Sequence, residues 1–120
     1  MTTGIDIYEE ARPWGNFRQF TKNCSSTVKI LTINQGETLS RQSHEHRSEF
    51  WRILSGRGTV EIDVKKSDAT PGEEYSVPQG SNHRLACARD SSQPMQVLEI
   101  SFGNFEEDDI IRSEDKYGRT

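Results

Sequence analysis

Residues 36–56 read GETLSRQSHEHRSEFWRILSG and hold two of the chain's three histidines. In an extended strand, side chains at i and i+2 share a face. Gln42, His44 and His46 therefore point one way, with two imidazoles side by side. Glu49 breaks that parity and predicts a turn or bulge around Arg47-Ser48. Beyond it, Glu49, Trp51, Ile53 and Ser55 alternate onto one face of a second strand. Two imidazoles and a carboxylate meeting at one point can hold a divalent metal and leave coordination positions open. The alternative is a hydrogen-bonded polar interior without metal. Buried imidazoles and a carboxylate without partners are costly, so that alternative also needs a ligand or water.

The third histidine, His83, lies in GEEYSVPQGSNHRLAC at 72–87. Pro78 and Gly80 read as a tight turn feeding a strand that begins near His83. The rest of the chain has the same character. Thr27–Asn34 is β-branched and apolar, Val60, Ile62 and Val64 alternate with polar neighbours, and Met95–Phe102 reads as the last clear strand. Short strands at this spacing, without helical periodicity, indicate an all-β sandwich or barrel. Residues 1–11 read as a loose N-terminal arm, and the tail over 103–120 has weak helical character at 106–111.

The 120 residues fit one domain. Only 31% are hydrophobic, and the mean hydropathy is −0.84, so the core is thin. A homodimer that covers one sheet face is expected. The net charge of −4, with both signs interspersed, supplies no basic stripe for nucleic acid. No apolar run approaches membrane-spanning length, and the N-terminus has no secretory pattern, so the expected location is cytoplasmic. Cys24 and Cys87 are expected to be free thiols.

The two histidine segments resemble the paired signatures of the cupin superfamily. The second signature, G-x5-P-x-G-x2-H-x3-N, matches from Gly72 to His83, with Cys87 at the usual Asn. The first, G-x5-H-x-H-x3,4-E-x6-G, fits from Glu49 to Gly56. It departs earlier, with seven residues between Gly36 and His44 and two between His46 and Glu49. Three further stretches are similar to type II mannose-6-phosphate isomerases: RPWGNF at 12–17, the core from Gln42 to Trp51, and DDIIRSEDKYGR at 108–119. That family reads roughly RPWG-x-[YF], QSHHHRAEHW and DDIVRFEDRYGR. Glu45 and Phe50 stand where it has histidines, and Ser113 where it has Phe, which places the expected departures at the pocket rim.

The resemblance implies a single cupin domain, a double-stranded β-helix or jelly-roll barrel. It implies His44, His46, Glu49 and His83 around a divalent metal ion, zinc first, with manganese, cobalt, iron or nickel as alternatives. It also implies a phosphorylated hexose as substrate, bound by Arg12 and Arg112 from the terminal motifs, with Gln42 as a further ligand or sugar contact. For each arginine, a surface salt bridge remains an equal reading. Glu99 is the candidate acid/base: facing into an apolar barrel it would have a raised pKa, and facing outward it would simply be solvated. The implied activity is interconversion of mannose 6-phosphate and fructose 6-phosphate, feeding GDP-mannose and polysaccharide synthesis. The alternative is a non-catalytic cupin that binds a sugar or sugar nucleotide. A glycine-rich nucleotide loop is missing, so the guanylyltransferase activity of fused relatives does not carry over.

Overall fold

The alternating run from Ser26 to Ile33 becomes the edge of a four-stranded sheet in the computed structural model, which describes residues 7–106 and 108–117. In chain order the strands are β1 (Tyr8–Arg12), β2 (Gly15–Gln19), β3 (Ser26–Ile33), β4 (Arg41–Ser43), β5 (Arg47–Ser55) and β6 (Gly58–Ile62). They continue with β7 (Lys65–Ala69), β8 (Glu74–Val77), β9 (His83–Cys87), β10 (Met95–Gly103) and β11 (Ile111–Glu114). One sheet runs β3-β10-β5-β8, and the other runs β11-β4-β9-β6-β7. All pairings are antiparallel. The expected all-β architecture is present, and no helix occurs among the described residues. Accordingly, none is long and apolar enough to cross a membrane.

The two sheets share one core. Ile33, Trp51, Ile53, Val77, Met95 and Val97 from the first meet Val60, Ala69, Leu85 and Cys87 from the second. Each fully buried large side chain contributes about 1.5–3 kcal/mol relative to exposure. On β5 the alternation predicted from the sequence holds: Glu49, Trp51 and Ile53 are buried on the inner face. Cys24 and Cys87 are both free thiols.

Two expectations change at the ends of the chain. Residues 8–11, read as part of a loose arm, belong to β1, which pairs with β2 from Tyr8–Gln19 to Arg12–Gly15. The segment 1–6 of that arm, and 118–120 of the tail, lie outside the described residues. Within the tail, the weakly helical stretch gives way to β11, which pairs with β4 through Ile111–Ser43 and Arg112–Gln42. The edge of β4 offers unpaired main-chain groups, and satisfying them outweighs a weak local helical preference.

Candidate metal centre and sugar pocket

A bend, a turn and one strand bring the titratable groups together. The turn Pro78–Ser81 closes with Ser81 N–H donating to Pro78 O at 3.1 Å, and Gly80 takes the positive φ of 85° that its third position requires. Gly80 N–H then donates to His44 O at 2.8 Å, so the turn that delivers His83 also holds the end of β4. The chain bends at Glu45-His46, two residues before the expected position, and Asp109 holds it there. The Asp109 carboxylate accepts from Glu45 N–H at 2.9 Å and His46 N–H at 3.0 Å.

This earlier bend corrects one ligand. His46 sits in the bend and is exposed, whereas His44, Glu49 and His83 are buried with ligand atoms within 4.8 Å of one another. The inward place goes instead to Arg47, only 7% exposed. Gln42 lies on the inner face, in register with His83 on one side and Arg112 on the other.

Each imidazole has its tautomer chosen by a carbonyl. His44 Nδ1 is 2.6 Å from Asp109 O, and His83 Nδ1 is 3.1 Å from Ser81 O. A carbonyl only accepts, so both Nδ1 atoms carry the proton and both Nε2 atoms present lone pairs. His44 Nε2 lies 3.3 Å from Glu49 Oε2, and His83 Nε2 lies 3.8 Å from Glu49 Oε1. Trp51 Nε1–H donates to Glu49 Oε1 at 2.9 Å and orients the carboxylate. Three electron-pair donors so close call for a positive charge between them. Arg47 supplies one, its Nη2 3.3 Å from His44 Nε2 and its Nε 3.5 Å from Glu49. The donor set, two nitrogens and a carboxylate with supported outer atoms, fits a divalent cation.

The site lines a cavity of about 210 Å³. Glu99 projects into it from β10, resolving its orientation in favour of the inner face. Burial first, and then the neighbouring Glu49 charge, push its carboxyl up to about 8, against the opposing pull of Lys29 and Arg47. Burial also lowers the pKa of His83. Lys29 pairs across the sheet with Glu99 and lines the same cavity, as do Arg112 and Gln42. Gln42 Nε2 donates to Ser40 Oγ at 3.0 Å. Arg12 is not brought to the cavity: it is exposed on β1, paired with Glu10 at 2.8 Å and stacked 5.2 Å from the Phe17 ring.

Sequence reasoning did not place Arg47, Asp109 or Phe105 at this centre: it counts Arg47 only among the arginines able to grip a phosphate and Asp109 only as a salt-bridge neighbour. Parity counted backwards from Glu49 would have found Arg47. Asp109 and Phe105 have no local signal, because they reach the site only after the chain returns from β10. That return starts at Gly103, where φ is 108° and an added Cβ would fall 2.8 Å from His46 O. The Phe105 ring then lies 4.3 Å from both the Arg47 guanidinium and the Lys29 ammonium. None of the three departures expected at the rim is among the residues that line the cavity. Phe50 packs against Phe20 on the outer face at 5.3 Å, Glu45 is exposed in the bend, and Ser113 Oγ donates to Arg41 O.

Known proteins place the chain in a family. The family model described as mannose-6-phosphate isomerase C-terminal matches residues 5–115. The alginate biosynthesis protein AlgA of Pseudomonas aeruginosa is 38% identical over 113 residues, covering 93% of this chain. A mannose-1-phosphate guanylyltransferase of Klebsiella pneumoniae is 38% identical over 109 residues, covering 90%. The chain spans only 23% of the length of either relative. Among solved structures, a cupin protein from Bacteroides fragilis aligns with a TM-score of 0.60 and 26% identity, over 68% of this chain and 70% of its own. The capsular polysaccharide assembling protein CapF of Staphylococcus aureus aligns at 0.60 with 16% identity, over 91% and 34% respectively. The fold is that of the cupins.

Proposed function

Because this chain belongs to the mannose-6-phosphate isomerase C-terminal family, we propose that it interconverts mannose 6-phosphate and fructose 6-phosphate using a divalent cation. The observation that carries this reading is the pairing of two kinds of carboxyl in one cavity. Glu49 is committed to His44, His83 and Trp51, while Glu99 stands beside it with a raised pKa. His44, Glu49 and His83 would hold the cation. Gln42 would complete the set through Oε1, since its Nε2 is engaged by Ser40. When bound, the cation would polarise the sugar oxygens at C1 and C2.

The protein's own groups account for the rest. Glu99 takes the proton from C2 of the aldose and returns it to C1 of the ketose, while a proton passes between O1 and O2. Lys29 and Arg47 bring positive charge to the side of the cavity where negative charge develops on those oxygens. Arg112, on the inner face beside Gln42, binds the phosphate with paired N–H donors. Arg12 has no part in this arrangement.

The test is a coupled assay of the metal-reconstituted protein with mannose 6-phosphate. Turnover is expected in the wild type, and Glu99→Gln should lose it by at least a hundredfold while retaining stoichiometric metal, in line with the roughly 10²–10⁴-fold worth of a general base. Metal binding without turnover would overturn the isomerase reading. It would favour instead a cupin that binds a sugar or sugar nucleotide. The placement of Phe50, Glu45 and Ser113 away from the cavity argues for the isomerase, because the departures from the family pattern leave its lining alone.

A further inference from the structure

Four polar main-chain groups hold the bend that ends β4. The carbonyls of His44 and Glu45 accept from Gly80 N–H and from the Gln79 side chain. The N–H groups of Glu45 and His46 donate to the two oxygens of one carboxylate, that of Asp109. Those contacts hold the Asp109 carboxyl below the usual carboxylate range, the Glu45 N–H contributing most. The same residue turns its main-chain carbonyl to His44 Nδ1 at 2.6 Å, across 65 positions of sequence. Its carboxylate and its carbonyl thus grip the two sides of one three-residue segment.

We propose that Asp109 is the positioning residue of this centre: by clamping the 45–46 bend it places its own carbonyl where His44 must carry the proton on Nδ1. His44 Nε2 is then left as a lone-pair donor facing Glu49. Only the consequence for metal rests on the functional reading above; the tautomer belongs to the chain itself. The neighbouring contacts support the assignment. Glu106 O accepts from Arg47 Nη1 at 3.2 Å, and Phe105 packs under Arg47 and Lys29. The segment that carries Asp109 is therefore fastened to the barrel mainly through residues that line the cavity. His83 provides a control, because its Nδ1–H is held by Ser81 O, two residues away in its own turn.

The experiment compares wild type, Asp109→Asn and Asp109→Ala in the full chain. The imidazole tautomers are read by nitrogen-15 spectroscopy without metal, and zinc affinity is read by calorimetry. Wild type should show the Nδ1–H form at both His44 and His83. Asp109→Ala should give mixed tautomers at His44 alone and bind zinc on the order of 10- to 100-fold more weakly, as loss of an outer-shell partner does. Asp109→Asn keeps one acceptor oxygen and should fall between. An unchanged His44 tautomer and unchanged zinc affinity in Asp109→Ala would overturn the proposal. If Asp109→Ala disturbs His83 as well, the asparagine variant decides by the same two readings. If wild type shows the expected tautomers but takes no zinc, manganese or cobalt, the isomerase reading fails and the positioning role stands.

Discussion

The two faces of the sheet β3-β10-β5-β8 invert the usual division of labour. Towards the cavity mouth the inner face carries Lys29, Glu99, Glu49 and Arg47, while the outer face carries Val28 and Ile30, each 58% exposed. At the closed end the ordinary pattern returns, with Ile33, Ile53, Met95 and Val97 buried inside. An antiparallel sheet with one solvated face normally alternates apolar-in and polar-out. Here one end of the sheet makes the core and the other makes the site. The charges inside hold each other in a low-dielectric setting, where losing one partner strands the rest. The charges outside, such as Glu74 between Arg18 at 2.6 Å and Arg52 at 2.5 Å, have solvent to fall back on.

The most severe break in this comparison is Glu49→Gln, which leaves Arg47 buried without its nearest carboxylate. Loss of one partner from a buried pair costs roughly 3–5 kcal/mol. The expected loss is about 3 kcal/mol, at the low end of that range, because Glu99 is freed to ionise beside Arg47. Urea unfolding measures it, and a cost under about 1 kcal/mol would mean that Arg47 and Glu49 are not a coupled pair.

The outer face sets the next test. We expect a second copy of the chain to cover Val28 and Ile30, so sedimentation at micromolar concentration should give a dimer. Ile30→Lys should weaken it at least tenfold, and the unfolding midpoint should fall with it by mass action. A monomeric wild type would remove the expectation.

The mildest change is Glu74→Gln. Its carboxyl is held below the usual range, by the Arg18 hydrogen bond first, so its contribution is present above the unfolded value of 4.5 and is lost as pH falls through the lower folded value. Being half-buried at the surface, it should contribute under about 1 kcal/mol near pH 7. The gap between Glu74→Gln and wild type should narrow as pH falls below 4.5. A gap that does not change with pH would mean that packing and not charge sets the effect.

Much of this was readable in residue parity. His44, Glu49, His83 and Glu99 face the cavity, and their strands were visible as alternating runs. The Pro78–Gly80 turn was legible because its residues impose their own dihedrals. What escaped was set by distant chain. The bend lies at 45–46 and not 47–48 because the Asp109 carboxylate meets those two N–H groups, and no local pattern in SHEHRSE encodes that. Moving the bend turned His46 outward and Arg47 inward, exchanging an expected ligand for a counter-ion. β11 escaped for a related reason: its strand character comes from the free edge of β4 more than from its own residues.

Trp51 has an optical consequence. Its indole N–H rests on the Glu49 carboxylate, its ring meets His83 edge-on at 5.5 Å, and it is 1% exposed. The only other tryptophan, Trp14, is 73% exposed. The two therefore emit from opposite surroundings, one dry and beside charge, the other in water. Any change in the charge held between Glu49 and His83 acts on the excited dipole of Trp51 and leaves Trp14 as an internal reference. The chain carries, without any label, a two-colour gauge of its own pocket.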